Sequence, residues 1–481
     1  MTRPQRRAFP FALVGAATAL LLSGCNGQAK LEGSRPPSLP LPPGIEVAFN
    51  HRSAAHYRSP INQQWRRGDD LEALLLESID RAHQQILVAV QELSLPRVAQ
   101  ALVRKHRQGL DVRVVLENTY STPWSQQQDA DLSPHLRRRN QQLRQLGWGD
   151  AVQMLQRGGV PMLDDTADGS DGSGLMHHKF MVIDGNTVVT GSANFTPSCI
   201  HGDPEDSRTR GNVNHLLRLQ SRALASLFVS EFSKLWGDGP GGAPDSRFGI
   251  DKDEPGPQQV QIGNTKVQVL FAPHRRHDSN NGLAWLEQVL AGSRRSVDLS
   301  LFVFSAQNLA DALKQLQAKG VAIRLLADPG FANRSFSETL DLLGAALPDQ
   351  DCKLEAKNQI WRTGLASVGT PRLSPGDKLH HKFAVIDNQH VITGSFNWSP
   401  SAAFQNDETL LVIDSPLLAA HFTAEMNQLW RGAELGVTPR LKRKLERQRM
   451  RCGSGTQRGG KGLGGGFAER INRELIRGEL Q

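Results

Sequence analysis

The feature that most constrains this chain is an eight-residue segment that occurs twice. His177-His178-Lys179-Phe180-Met181-Val182-Ile183-Asp184 is followed, after six residues, by Gly191-Ser192-Ala193-Asn194. His380-His381-Lys382-Phe383-Ala384-Val385-Ile386-Asp387 is followed, after six residues, by Gly394-Ser395-Phe396-Asn397, and every element is displaced by 203 residues. Two copies with one internal spacing exclude coincidence and imply an internal duplication. The surroundings repeat as well. Apolar periodicity predicts a helix over 71–83, a strand over 86–90, a helix over 96–107 and a strand over 112–116. A strand over 297–304, a helix over 309–318 and a strand over 322–326 return in the same order, with Gly109 and Gly320 closing equivalent helices. Repeated strand–helix–strand units predict an α/β fold of two similar α-β-α halves.

Each motif reads as a hairpin. Side chains on a strand alternate faces, so His177 and Lys179 share one face and His178 takes the other. Asp184-Gly185 and Asp387-Asn388 are turn residues. A two-residue turn at Gly185-Asn186 sets Lys179 opposite Ser192 and His177 opposite Asn194. The same turn at Asn388-Gln389 sets Lys382 opposite Ser395 and His380 opposite Asn397. A slip by one still gathers an imidazole, an ammonium, a hydroxyl and a carboxamide at one end of each hairpin.

That set suits a phosphodiester. Lysine supplies charge, and Ser and Asn supply hydrogen bonds, for phosphoryl oxygens that gain charge in the transition state. An imidazole near neutral pH can serve as nucleophile or proton donor. Two copies supply both roles, and water activated by the second imidazole can then release a phosphohistidine. No metal or other cofactor is required by this scheme.

The duplicated H-x-K-x4-D pattern with G-S-x-N behind it resembles the signature of the phospholipase D superfamily, over residues 71–430. The resemblance implies a bilobed phospholipase D/nuclease-like fold whose two hairpins meet at one central site, and a covalent phosphohistidine mechanism. Carried over by position, His177 and His380 are the catalytic pair. Lys179, Lys382, Asn194 and Asn397 bind phosphate with Ser192 and Ser395 in support, and Asp184 and Asp387 complete the motifs in a mainly structural, turn-holding role. The second motif is followed by Asn406-Asp407-Glu408, where family members often carry a glutamate that orients the neighbouring histidine; in the first half Asn214 holds the comparable place. A carboxylate raises the basicity of its imidazole and an amide only orients it, so the two histidines are not equivalent. The family's usual order favours His177 as nucleophile.

Other residues read more plainly. His178 and His381 are expected to pack behind the site. Trp124 and Trp361 line either a substrate mouth or the core. The Asp-rich stretch 164–172 lacks the glutamate that closes a calcium loop and reads as a solvated loop.

The N-terminus reads as a targeting segment. Arg3, Arg6 and Arg7 precede an apolar stretch too short for a comfortable span, and Leu22-Ser23-Gly24-Cys25 resembles a bacterial lipoprotein cleavage box. The expectation is lipidation at Cys25 and anchorage in the bacterial cell envelope, facing the periplasm or exterior. A Pro-rich tether follows over 26–50. The halves are expected over 51–236 and 263–436, with a linker over 237–262 and a basic, Gly-rich tail over 437–481. Three further cysteines, Cys199, Cys352 and Cys452, form no disulfide framework; one pair can bridge, and Cys199 reads as an apolar packer.

Charge bears on partners. The chain has 56 Lys+Arg and 48 Asp+Glu, and residues 440–481 hold 12 basic and four acidic residues, so the body is close to neutral. Such a tail binds polyphosphate or anionic headgroups equally well. Hydrolysis of phospholipid headgroup phosphodiesters is the expected function, with a bilayer as anchor and substrate; an exported, membrane-tethered nuclease acting on DNA or RNA is the alternative. A monomer is expected.

Overall fold

The computed structural model describes residues 39–145, 147–166, 174–203, 206, 208–355, 357–453 and 457–458. These residues form one compact unit. Two mixed sheets organise it. The first has the strand order Ile45–Phe49, His215–Gln220, Thr187–Gly191, Lys179–Ile183, Gln85–Val90, Asp111–Leu116, Met162–Asp164. The second runs Gln258–Ile262, Thr265–Ala272, Glu408–Asp414, His390–Gly394, Lys382–Ile386, Ser296–Leu301, Ala322–Ala327, Val368–Thr370, Glu434–Leu435. In both, the motif hairpin is central. It lies antiparallel to the first strand of a parallel pair whose crossover helices are Pro96–Arg107 and Gln307–Ala318.

These elements follow from local chemistry. Pro96 opens its helix where no backbone N–H is needed. Gly109 and Gly320 close equivalent turns at φ +91° and +84°, in open space, so glycine is required there for the backbone angle alone. The motif strands are apolar on both faces because both faces are covered. Phe180 and Val182 enter one core cluster while Met181 and Ile183 enter another. The first of these clusters is shared between the halves. It joins Phe180, Phe228 and Phe232 to Phe383, Phe422 and Met426, drawing on the long helices Arg222–Trp236 and Pro416–Trp430. Each half also has an outer core of its own.

Several boundaries differ from the sequence reading. Ile45–Phe49, inside the stretch read as tether, is an edge strand paired with His215–Gln220, because Ile45, Val47 and Phe49 are apolar and buried. The linker contributes Gln258–Ile262 to the second sheet and buries Lys252. The motif turn has three residues: Ile183 pairs with Thr187 and Ile386 with His390, one place from the predicted register. The cause is the aspartate. Asp184 accepts the backbone N–H groups of His83, Gln84 and Gln85, and Asp387 those of Arg294, Arg295 and Ser296, which holds both out of the ladder at positive φ. Trp124 and Trp361 are buried. Cys25 and the leader lie outside the described residues, as does most of the Asp-rich stretch. No helix among the described residues is long and apolar enough to cross a membrane.

The tail begins as a packed helix, Pro439–Cys452, whose Leu441 is buried. Cys352 and Cys452 form a disulfide across a sequence separation of 100, leaving Cys199 free and buried. Closing a loop of that length constrains the unfolded chain by about 4–5 kcal/mol in the chain-entropy picture. The double variant Cys352→Ser/Cys452→Ser is expected to melt several degrees lower. In a thermal melt, reductant should bring the wild type down to the variant and leave the variant unmoved.

Candidate active site

The two motifs meet across the boundary between the halves, stitched by paired backbone bridges. The His177 N–H donates to the Asp407 carbonyl (3.0 Å), and the Asp407 N–H to Leu175 (2.9 Å). In the pseudo-equivalent place the His380 N–H donates to Val213 (3.1 Å), and the Val213 N–H to Lys378 (2.7 Å). Each bridge delivers the next residue to the facing histidine. Glu408 Oε1 lies 2.7 Å from Nδ1 of His177, and Asn214 Oδ1 lies 2.9 Å from Nδ1 of His380. The histidine each one orients therefore belongs to the opposite half. Binding at Nδ1 fixes each ring with its Nε2 edge turned away from that partner.

The serines serve the orienting residues. Ser192 Oγ donates to Asn214 Oδ1 (2.8 Å) and accepts from the His215 N–H; Ser395 Oγ donates to Glu408 Oε2 (2.6 Å) and accepts from the Thr409 N–H. With both capacities used, Ser192 and Ser395 are placed as supports for the imidazole partners and not as direct phosphate donors. Lys179 Nζ donates to the His177 carbonyl (2.9 Å) and to Gln91 Oε1 (3.2 Å). Lys382 Nζ donates to the His380 carbonyl and to His380 Nε2, both at 3.0 Å. Asn194 donates to Gln91 Oε1 (3.1 Å), and Asn397 is buried beside the second motif. Asp184 and Asp387 stand at the turns, at the far ends of their hairpins from the histidines.

The halves differ at a second position that sequence reading missed. Gln91 and Phe302 are equivalent, since their N–H groups donate to the carbonyls of His178 and His381. Gln91 ties Lys179 to Asn194 through its carboxamide. Phe302 instead lays its ring 4.7 Å from that of His380, with Lys382 Nζ 4.8 Å from its centroid. The sequence carried a signal: both residues directly follow the first parallel strand of their unit.

Behind the site, the second histidine of each motif is buried, as expected. His178 reaches Thr409 Oγ1 and Glu231 Oε1, both 2.9 Å away. His381 reaches His215 Nδ1 (3.0 Å) and Glu425 Oε1 (3.4 Å). Burial pushes His178, His215 and His381 well below the usual imidazole range. Lys252 bridges Glu231 and Asp407 and is held protonated by those carboxylates against its burial. Asp165 and Asp328 each accept the N–H of the residue before a motif histidine, Met176 and Leu379, and burial raises each to about 6. None of Glu231, Glu425, Lys252, Asp165 or Asp328 lies in a recognisable motif. Glu231 and Glu425 were legible only as charged residues inside otherwise apolar helices. Among the described residues no group of three or more His, Cys, Asp or Glu side chains is arranged to hold a metal ion.

Burial raises Glu425 to about 7, opposed by Arg52 and Arg210. A carboxyl that binds its proton more tightly when folded contributes stability that is present below the unfolded value and lost as pH rises through the folded one. Relative to a reference of 4.5, that loss falls between about pH 4.5 and 7 and amounts to ~3 kcal/mol. Glu425→Gln keeps an acceptor for His381 and removes the titration. Its melting temperature is expected to exceed the wild type's on the alkaline side of neutrality and to converge with it toward pH 5, as checked by thermal melts across that range.

Comparison with known proteins agrees with this geometry. The family described as cardiolipin synthase, PLD-like domain, matches residues 75–236 and 286–430, more than half of the chain and both motifs. A mitochondrial cardiolipin hydrolase of Chlamydomonas reinhardtii is 26% identical over 209 residues, covering 44% of this chain and 82% of that protein. A phospholipase D of Rickettsia bellii is 28% identical over 159 residues, covering 33% of this chain and 66% of that one. The crystal structure of a phosphatidylserine synthase from Haemophilus influenzae superposes with a TM-score of 0.54 at 13% identity, over 90% of this chain and 94% of that one, which shows a common fold. A duplicated family match, two motifs converging on one site and a bilobed fold lead to one assignment: the chain belongs to the phospholipase D superfamily and is a phospholipase D-like phosphodiesterase, a hydrolase.

Proposed function

We propose that the enzyme hydrolyses the headgroup phosphodiester of phospholipids through a phosphohistidine on His177, without a metal. The observation that carries the role assignment is the unequal pair of Nδ1 partners, Glu408 on His177 and Asn214 on His380. When Nε2 of His177 attacks phosphorus, the ring gains positive charge, and the carboxylate stabilises it. His380, protonated, passes its proton to the departing headgroup oxygen as the P–O bond breaks; its neutral amide partner does not hold that proton back. Water then attacks phosphorus, His380 takes a proton from it, and the P–N bond breaks with its electrons returning to His177. The products are the headgroup alcohol and a phosphatidate. Lys179 and Lys382 neutralise the phosphoryl oxygens throughout. A bound phosphate draws Lys382 from Nε2 of His380 and so permits that ring to protonate.

Lipid is favoured as substrate by the names of the relatives, a cardiolipin hydrolase and a phospholipase D. The leader ending at Cys25 supports an envelope lipoprotein whose site works beside a bilayer. The test is a paired assay with chelator present, following headgroup release from phosphatidylcholine and cardiolipin vesicles and nicking of plasmid DNA, with His380→Ala as blank. Headgroup release without nicking supports the reading. Nicking without headgroup release makes the enzyme a tethered nuclease.

A further inference from the structure

The helix Pro439–Cys452 is amphipathic in an unusual sense, because its outward face is almost wholly cationic. Leu441, Lys444, Leu445, Gln448 and Cys452 turn inward, while Arg440, Lys442, Arg443, Arg447, Arg449 and Arg451 are exposed with Glu446 alone of opposite sign. The helix is fixed to the second half at several points, among them the Arg451 guanidinium, which donates to the carbonyls of Asp349 and Gln350. Lys444 Nζ donates to the Asn333 carbonyl (2.6 Å), Gln448 donates to the carbonyls of Pro348 and Asp349, and the disulfide ties its last residue to Cys352. Its anchoring segment borders the catalytic residues. Asn333 is two positions from Phe331, which packs 4.8 Å from Phe302, and Phe302 packs 4.7 Å from His380. Apolar side chains are exposed along the same segment: Leu435 at 37%, Val437 at 36% and Met450 at 78%.

From these observations we infer that this helix is a docking surface for an anionic lipid bilayer, which seats the second half on the membrane that holds its substrate. The inference rests on the lipid reading above. Charge complementarity identifies the partner: guanidinium groups engage headgroup phosphates while Leu435, Val437 and Met450 enter the interfacial layer. A mobile tail would lose entropy on docking, whereas a helix already pinned by a disulfide presents its charges in place.

The test compares the full-length protein with Arg443→Gln/Arg447→Gln, both positions exposed and both substitutions neutral to helix propensity. Both chains carry Cys25→Ser, so that no lipid anchor masks the contribution of the helix. Binding is measured by sedimentation with phosphatidylcholine vesicles with and without phosphatidylglycerol, alongside turnover of soluble bis(p-nitrophenyl) phosphate. Each arginine near an anionic surface contributes about fivefold, so the variant is expected to bind the phosphatidylglycerol vesicles about 25-fold more weakly with unchanged soluble turnover. Arginine-dependent vesicle binding without headgroup release would support the surface while removing lipid as substrate. Equal vesicle binding by the two chains overturns the inference. So does a variant that loses plasmid binding but not vesicle binding, since the face then serves nucleic acid.

Discussion

Offered bis(p-nitrophenyl) phosphate, His177→Ala is expected to release no p-nitrophenolate above background, and His380→Ala to release one equivalent and stop. The leaving group departs as an anion and needs no proton, so loss of the acid is nearly silent in the first step. Hydrolysis of the phosphorylated imidazole needs a base for water, the part proposed for His380. Removing it slows turnover by about 10²–10⁴ and traps the intermediate. Intact mass spectrometry of the burst-phase protein should find one p-nitrophenyl phosphoryl group, mapped to His177. With an alkyl leaving group both variants should be inactive. A burst from His177→Ala and none from His380→Ala would exchange the two roles.

The second large effect is expected from the partners of the two rings. Glu408→Gln keeps a hydrogen bond to Nδ1 of His177 and removes the charge, so the ring loses the counter-ion it needs as it becomes cationic. A hydrogen bond to a charged group is worth about 1.5–3 kcal/mol, which places the loss in kcat at roughly 10- to 200-fold. Asn214→Asp does the reverse for His380. A carboxylate there favours the imidazolium, so the alkaline limb of the kcat/KM profile should move to higher pH while the maximal rate falls, because the acid now yields its proton less readily. The pH–rate profiles of the two variants check both statements. An unchanged alkaline limb in Asn214→Asp would mean that the amide at that position does not govern the proton on His380.

Residues that act within one strand were legible in the sequence. The repeat located both hairpins and both crossover helices, since apolar periodicity and the glycines at 109 and 320 are local signals. The turn register was off by one because nothing local shows that Asp184 and Asp387 collect three N–H groups from a strand about a hundred residues away. Glu408 and Asn214 could be recognised as orienting residues, but the sequence pairs each with the neighbouring histidine, whereas each reaches the ring of the opposite half, because that depends on how the halves face each other. Gln91, Glu231 and Lys252 were invisible for the same reason: their meaning comes from partners brought by packing. The helix at 439–452 was read as tail because its positive charge outweighs its sparse apolar stripe; the disulfide and the burial of Leu441 decide otherwise.

The crossed wiring of Glu408 and Asn214 also governs how such a chain can change over generations. A substitution at position 214 leaves its own half's histidine untouched and retunes the other's, and the converse holds at 408. Neither copy of the duplication can drift alone, since each inherits its reactivity from its twin. Because the dependence is reciprocal, an acid at one of these positions and an amide at the other make the two imidazoles unequal without a change in either motif.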